Sequence, residues 1–134
     1  MQLADGWLLT AVAAMGAAGS LARYGISRLY ARYGLRPERA TLTVNLLGAA
    51  LLGLLVGGTA NLADGSPYLL LGGSLLGGFT TFSTLMMQLA NLKVERAHRR
   101  LYAYFVQTFF AGLLLASIGY YAGHWLVGHI GPYT

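Results

Sequence analysis

Between Gly72 and Thr84 the chain reads Gly-Gly-Ser-Leu-Leu-Gly-Gly-Phe-Thr-Thr-Phe-Ser-Thr, a cluster of glycines and hydroxyl side chains with two phenylalanines. It lies in a run from Tyr68 to Leu92 that is otherwise apolar. At about 1.5 Å per helical residue that run is long enough to cross a bilayer. Glycine costs a helix interior roughly 1 kcal/mol against alanine, so Gly77-Gly78 followed by β-branched Thr80-Thr81 predicts an unwound segment. Backbone opened at membrane depth finds no partner in lipid and persists only where it faces protein, water or an ion. The functional centre is therefore expected here.

The side chains on offer favour an anion. The predicted spans carry hydrogen-bond donors in Asn45, Thr80, Thr81, Ser83, Thr84, Tyr104 and Thr108 but no acid, because Asp5, Glu38, Asp64 and Glu95 all fall at helix ends or in loops. Exporters driven by protons or cations need a titratable carboxylate inside the membrane. Phe79 and Phe82, which flank Thr80-Thr81, add ring edges of partial positive charge and bulk that excludes water. The same spacing also suits two core phenylalanines three apart on a helix. Weak, multiple donors let a small ion shed its water, enter and still leave. Carbonyls freed by the break would instead attract a cation.

These residues need elements to hold them. A chain of 134 residues with 56% hydrophobic and 10% charged residues has too few polar side chains to clothe a soluble domain. Cysteine is absent, and His98, His124 and His129 form no metal-binding pair, so neither a thiol site, a zinc site nor a nucleophile–base pair emerges and an enzyme is not expected. The apolar stretch after Trp7 has no basic head before it, so it reads as a retained helix rather than a cleaved signal.

Helix one is predicted over 7–30, with Ala14, Ala18 and Ala22, and Gly19 beside them, as a smooth packing face. Its Arg23 either snorkels to the interface or lines an anion vestibule. Arg28, Arg32, Arg36 and Arg39 follow, with Pro37 breaking the helix. Next to a membrane span this basic run reads as a solvated loop rather than a nucleic-acid contact. Helix two, over 41–58, places Thr41, Asn45, Ala49, Gly53 and Gly57 on one stripe. Asn45 is its single amide, either interhelical glue or a pore donor. A loop over 59–67 precedes the broken third helix, which ends near Leu92. Residues 93–100 form a second basic loop. Helix four, over 101–127, carries Tyr104, Thr108, Gly112, Ala116 and Tyr120 on a stripe suited to packing against the first. The expected architecture is an all-α membrane protein, one domain over 1–134 with four transmembrane helices, the third broken.

Together these residues resemble the single-domain fluoride channel family, the Fluc or CrcB proteins, over most of the chain. The resemblance is carried by Gly77-Gly78-Phe79-Thr80-Thr81-Phe82-Ser83-Thr84, by Gly19 with Arg23-Tyr24, by Thr41-Leu42-Thr43-Val44-Asn45 with Gly48, and by Tyr104 with Thr108 and Gly112. It implies a channel that exports fluoride passively across the cytoplasmic membrane and so relieves its toxicity. It also implies an antiparallel dimer with two pores, in which fluoride passes Phe79 and Phe82 and Asn45 donates its amide. Thr80, Thr81, Ser83, Tyr104 and Thr108 would line the ion track, and Arg23 would draw anions to the vestibule. A structural Na+ ion at the dimer centre would be held by the backbone carbonyls of Ser74 and Gly77. The chain departs from the family pattern at Ser74, usually glycine, at Gln88, commonly glutamate, and at Thr108, usually serine.

Charge adds an expectation about partners. Arg23, Arg28, Arg32, Arg36 and Arg39 lie in or before the first loop and Lys93, Arg96, Arg99 and Arg100 in the third, with no basic residue in the second. The positive-inside rule then predicts a single orientation with both termini outside. Such a chain would pair with an oppositely oriented paralogue rather than with itself, the homodimer being the fallback. Two other functions compete: a small four-helix exporter of another solute, and a non-conducting partner subunit of a heteromeric channel.

Overall fold

The computed structural model describes residues 3–59 and 68–130. Among these the chain is helical and has no strand: α1 (Leu3–Arg32), α2 (Pro37–Thr59), a π-helical stretch π1 (Tyr68–Leu76), α3 (Gly77–Phe79), α4 (Phe82–Val94), α5 (His98–Val106), a second π-helical stretch π2 (Gln107–Ala111) and α6 (Gly112–Ile130). In space these form four rods. Pro37–Thr59, Leu70–Val94 and His98–His129 are long and apolar enough to cross a membrane, with mean hydropathies of 1.9, 1.3 and 1.6. α1 has the length, at 30 residues, but carries Asp5, Arg23, Arg28 and Arg32 and is less apolar than these three. Most of the predicted loop over 59–67, with Asp64, lies outside the described residues.

The two turns at the basic end are built alike. After α1, Gly34 has φ +65°, its N–H donates to the Ala31 carbonyl at 3.0 Å, and the Leu35 N–H donates to Tyr30 at 3.0 Å, the paired bonds of a left-handed helix stop. After α4 the same bonds run from Arg96 to Lys93 at 3.1 Å and from Ala97 to Leu92 at 2.9 Å, with Arg96 at φ 56°. Pro37 does not break a helix as expected. It opens α2 four residues earlier than predicted, because a proline at the first helical position lacks only an N–H that has no partner anyway.

α2 and α6 pack backbone to backbone. A Cβ at Gly53 would collide with the Ala116 carbonyl and one at Gly57 with that of Tyr120, while Gly119 and Gly123 meet the carbonyls of Ala50 and Leu54. The two predicted stripes do face each other, and Gly119 and Gly123, beside the second stripe, complete the seam. Close approach of this kind replaces hydrophobic burial as the source of helix association in lipid. The packing face of α1 differs from the expected one. Ala14, Ala18 and Ala22 are exposed, and contact is made by Gly19 against the Leu75 carbonyl and by Gly16 against Gly78. Leu85, Leu92 and Tyr104 form a small core near the basic end. Large apolar side chains such as Leu21, Phe110 and Leu113 stay about 70% exposed, a surface suited to lipid.

Candidate functional site

The interruption of the third rod falls at Thr80 and Thr81, not at Gly77-Gly78. Thr80 has ψ 162° and Thr81 has φ −151° and ψ 123°, both extended, whereas Gly77 and Gly78 are helical. The glycines serve close approach instead: a Cβ at Gly78 would strike the Gly16 carbonyl. What holds the two threonines extended is Asn45. Its Nδ2 donates to the Thr81 carbonyl at 3.0 Å, and its Oδ1 accepts from the Thr81 N–H at 2.9 Å. One primary amide thus substitutes for both backbone partners that a helix would have supplied, which makes the break affordable at this depth. The Thr81 N–H, due to the Gly77 carbonyl in a continuous helix, is turned away from it.

Two further groups opened by the break, the Thr84 N–H and the Gly78 carbonyl, are also covered. Thr81 restarts the chain as the cap of α4, its Oγ1 accepting from the Thr84 N–H at 3.3 Å and donating to Thr84 Oγ1 at 3.0 Å, with Ser83 Oγ 3.4 Å away. Ser20 of α1, which the sequence reading passed over, donates to the Gly78 carbonyl at 3.3 Å. A hydroxyl beside Gly19, on the helix face that approaches the break, was the only signal for it. Gly48 is a second omission in role: a Cβ there would collide with Thr80 Cγ2 and stand 3.7 Å from the Phe79 ring, so its missing side chain makes room for the extended segment.

Two cavities meet at this point. A cleft of about 380 Å³ is lined by Asn45, Gly77, Thr80, Thr81, Phe82 and Thr108, among others. A second, of about 230 Å³, is lined by Ser20, Arg23, Tyr24, Thr41, Thr81 and Thr84. Thr81 belongs to both, so Arg23 and Asn45 address opposite sides of one extended residue. The phenylalanines separate: Phe82 is 64% exposed at the cleft, whereas Phe79 is 9% exposed and packs by Gly48. Tyr104 is in neither cavity. It is buried beside Leu85 and Leu92, donates to Gln88 Oε1 at 2.7 Å, and lines a third cavity with Arg36, Arg39 and Arg100. Ser74 is buried, with its carbonyl 3.7 Å from where a Gly16 Cβ would stand, and does not line the cleft that Gly77 lines.

Several expected donors have their protons engaged. Thr80 Oγ1 donates to the Leu76 carbonyl at 3.1 Å, and Thr108 Oγ1 to the Tyr104 carbonyl at 2.8 Å. Leu76 already accepts the Thr80 N–H at 2.9 Å, so releasing that hydroxyl strands no backbone group and costs about 1 kcal/mol. The second N–H of Asn45 has no partner among the described residues and borders the cleft. Among the described residues no three His, Asp or Glu side chains come together, so a metal ion here would rest on carbonyl oxygens.

The similarity to known proteins spans this site. Residues 10–120 match the family model described as CrcB-like protein, Camphor Resistance (CrcB). A protein named fluoride-specific ion channel FluC 1 from Geobacillus kaustophilus is 42% identical over 112 residues, covering 84% of this chain and 94% of that one. One of the same name from Rubrobacter xylanophilus is 42% identical over 127 residues, 94% of this chain and 100% of the relative. The fluoride-specific ion channel FluC of Phenylobacterium zucineum is 40% identical over 119 residues, 81% and 94% of the two chains. With the family model covering most of its length and these relatives aligned nearly end to end, the chain belongs to the CrcB family.

Proposed function

We propose that this chain is a fluoride-selective ion channel that lets fluoride leave the cell passively across the plasma membrane. The observation that carries the reading is the paired hydrogen bond between Asn45 and Thr81, which holds an extended segment beside a cleft in a chain of this family. A dehydrating anion there meets the free N–H of Asn45, hydroxyls that turn at small cost, and the edge of Phe82. Arg23 raises the local anion concentration on the other side of Thr81. Transport of this kind makes and breaks no covalent bond, and the chain is not an enzyme. Fluoride tolerance conferred on a bacterium lacking its own fluoride exporter tests the reading. Asn45→Asp keeps the acceptor for the Thr81 N–H but sets a negative charge against the Thr81 carbonyl and the ion, and is expected to abolish tolerance.

The finer architecture belongs to the same proposal: one domain over residues 1–134, four spans with the third divided at Thr80-Thr81, and an antiparallel dimer with two pores. Phe79, Thr80, Ser83, Tyr104 and Thr108 complete the ion track. The partner is an oppositely oriented paralogue, favoured by nine basic residues on one side, or else a second copy. Reporters fused to the C-terminus decide: equal cytoplasmic and external signals would exclude a single orientation. A structural Na+ would rest on carbonyls at the dimer centre, that of Gly77, whose helical donor is diverted to Asn45, and that of Ser74. Bound, it supplies fixed positive charge between the subunits. A melting temperature higher in sodium than in potassium salt tests its presence without reference to conduction.

A further inference from the structure

Between the start of α2, the end of α4 and the start of α5 lies a cavity of about 160 Å³, lined by Arg36, Glu38, Arg39 and Arg100 together with Leu42 and Leu92. It shares no lining residue with the cleft at the break or with the cavity beside Arg23. Of the ion track proposed above it touches only Tyr104, whose hydroxyl proton is committed to Gln88. Its space is roughly ten times what a single water needs.

The cavity sits where three apolar spans end. Pro37–Thr59 has Arg36 just before it and Glu38 and Arg39 in its first turn, Leu70–Val94 stops just past Leu92, and His98–His129 has Arg100 in its first turn. This is the level of the lipid headgroups. The charges around the cavity are incompletely matched inside the protein. Arg100 pairs with Glu95 at 3.1 Å, exposed on both sides, while Arg36 and Arg39 have no ion-pair partner among the described residues. Glu38 Oε2 is buried without a hydrogen-bond partner. A carboxylate oxygen withheld from water and given no donor is unfavourable. The cavity therefore suits a ligand with two features at once: clustered acceptor oxygens for the guanidiniums and a donor for the carboxylate. The last torsion of a glutamate is broad, so either oxygen can turn toward that donor.

We propose that this cavity holds the headgroup of a phospholipid with a primary amine, phosphatidylethanolamine, its phosphate on Arg36, Arg39 and Arg100 and its ammonium on Glu38. Basic pockets between membrane helices take lipid phosphates. Glu38 adds the selection, because a choline headgroup has the same charge but no N–H, and a glycerol headgroup offers only neutral hydroxyls. The site requires that the chain sit in a membrane and does not depend on what it conducts.

The test is native mass spectrometry of the purified chain in detergent, titrated with phosphatidylethanolamine, phosphatidylcholine and phosphatidylglycerol of identical acyl chains. The ethanolamine lipid is expected to bind about threefold or more tighter than either of the others. Glu38→Gln should bring it down to the level of the choline lipid, and Arg36→Gln/Arg39→Gln should weaken all three. The ratio between lipids is read within one protein sample, so partial loss of folded chain does not alter it. Equal binding of the three lipids by the wild type, tightest binding of the glycerol lipid, or a preference that survives Glu38→Gln would overturn the site. Displacement of the lipid by an equal concentration of soluble phosphoethanolamine would also overturn a lipid as its occupant.

Discussion

Replacing Asn45 by alanine removes one side chain and two hydrogen bonds to the same residue. The Thr81 N–H and carbonyl then lose partners at 2.9 and 3.0 Å. In a part-buried position each stranded group costs about 1–3 kcal/mol, so the change destabilises the break by about 2–6 kcal/mol. The helix on either side keeps its own bonds, and the loss should stay local. Amide hydrogen exchange reads it directly, because the Thr81 N–H is protected by Asn45 Oδ1 and not by a helical carbonyl. At the lower figure Thr81 exchanges about 30-fold faster in Asn45→Ala, since each 1.4 kcal/mol is tenfold, while amides in the middle of α2 keep their rates. Asn45→Gln, with the same groups on a longer stem, should recover little, as its amide overshoots. Unchanged Thr81 exchange in Asn45→Ala would refute the idea that this amide holds the break.

Other consequences are more briefly stated. Phe82→Ile should stop fluoride conduction without loss of thermal stability, because Phe82 is 64% exposed, whereas Phe79→Ala, at a site 9% exposed, should destabilise by about 3–5 kcal/mol in a melting assay. Gly53→Ala sets a methyl against the Ala116 carbonyl and should lower stability by about 1–3 kcal/mol through separation of α2 and α6. Gly34 has φ +65° with nothing near its missing Cβ, so Gly34→Ala should cost about 1–2 kcal/mol from backbone conformation alone. An equal melting temperature for Gly34→Ala and wild type would contradict that left-handed stop.

Much of this architecture is readable from residue types. Hydropathy marks the long helices, the four-residue spacing of Thr41 through Gly57 marks the seam with α6, and the mixture of glycine, hydroxyl and phenylalanine marks where the third rod is interrupted. The segment from Gly77 to Thr81 is marked, but which part of it leaves the helix is decided by a contact 36 residues away in the chain: Gly77 and Gly78 stay helical, Gly78 against Gly16, and Thr80-Thr81 opens where Asn45 can reach. The same reason hides the α1 face. Alanines spaced by four look like a packing surface, but only Gly16 and Gly19 admit the carbonyls of the third rod. Arg96 in a left-handed position also defeats a reading by residue type, since glycine is the expected occupant there. Tyr104 shares a stripe with Thr108, and its hydroxyl is claimed by Gln88, a residue that reads only as a lost charge in the sequence.

The most direct test of the central claim is efflux from liposomes containing the purified chain alone, with fluoride and chloride followed in parallel by ion-selective electrodes. Rapid fluoride release with chloride retained is the expected result. Equal release of both ions, or of neither with this chain and a co-expressed oppositely oriented paralogue, would contradict a fluoride-selective channel.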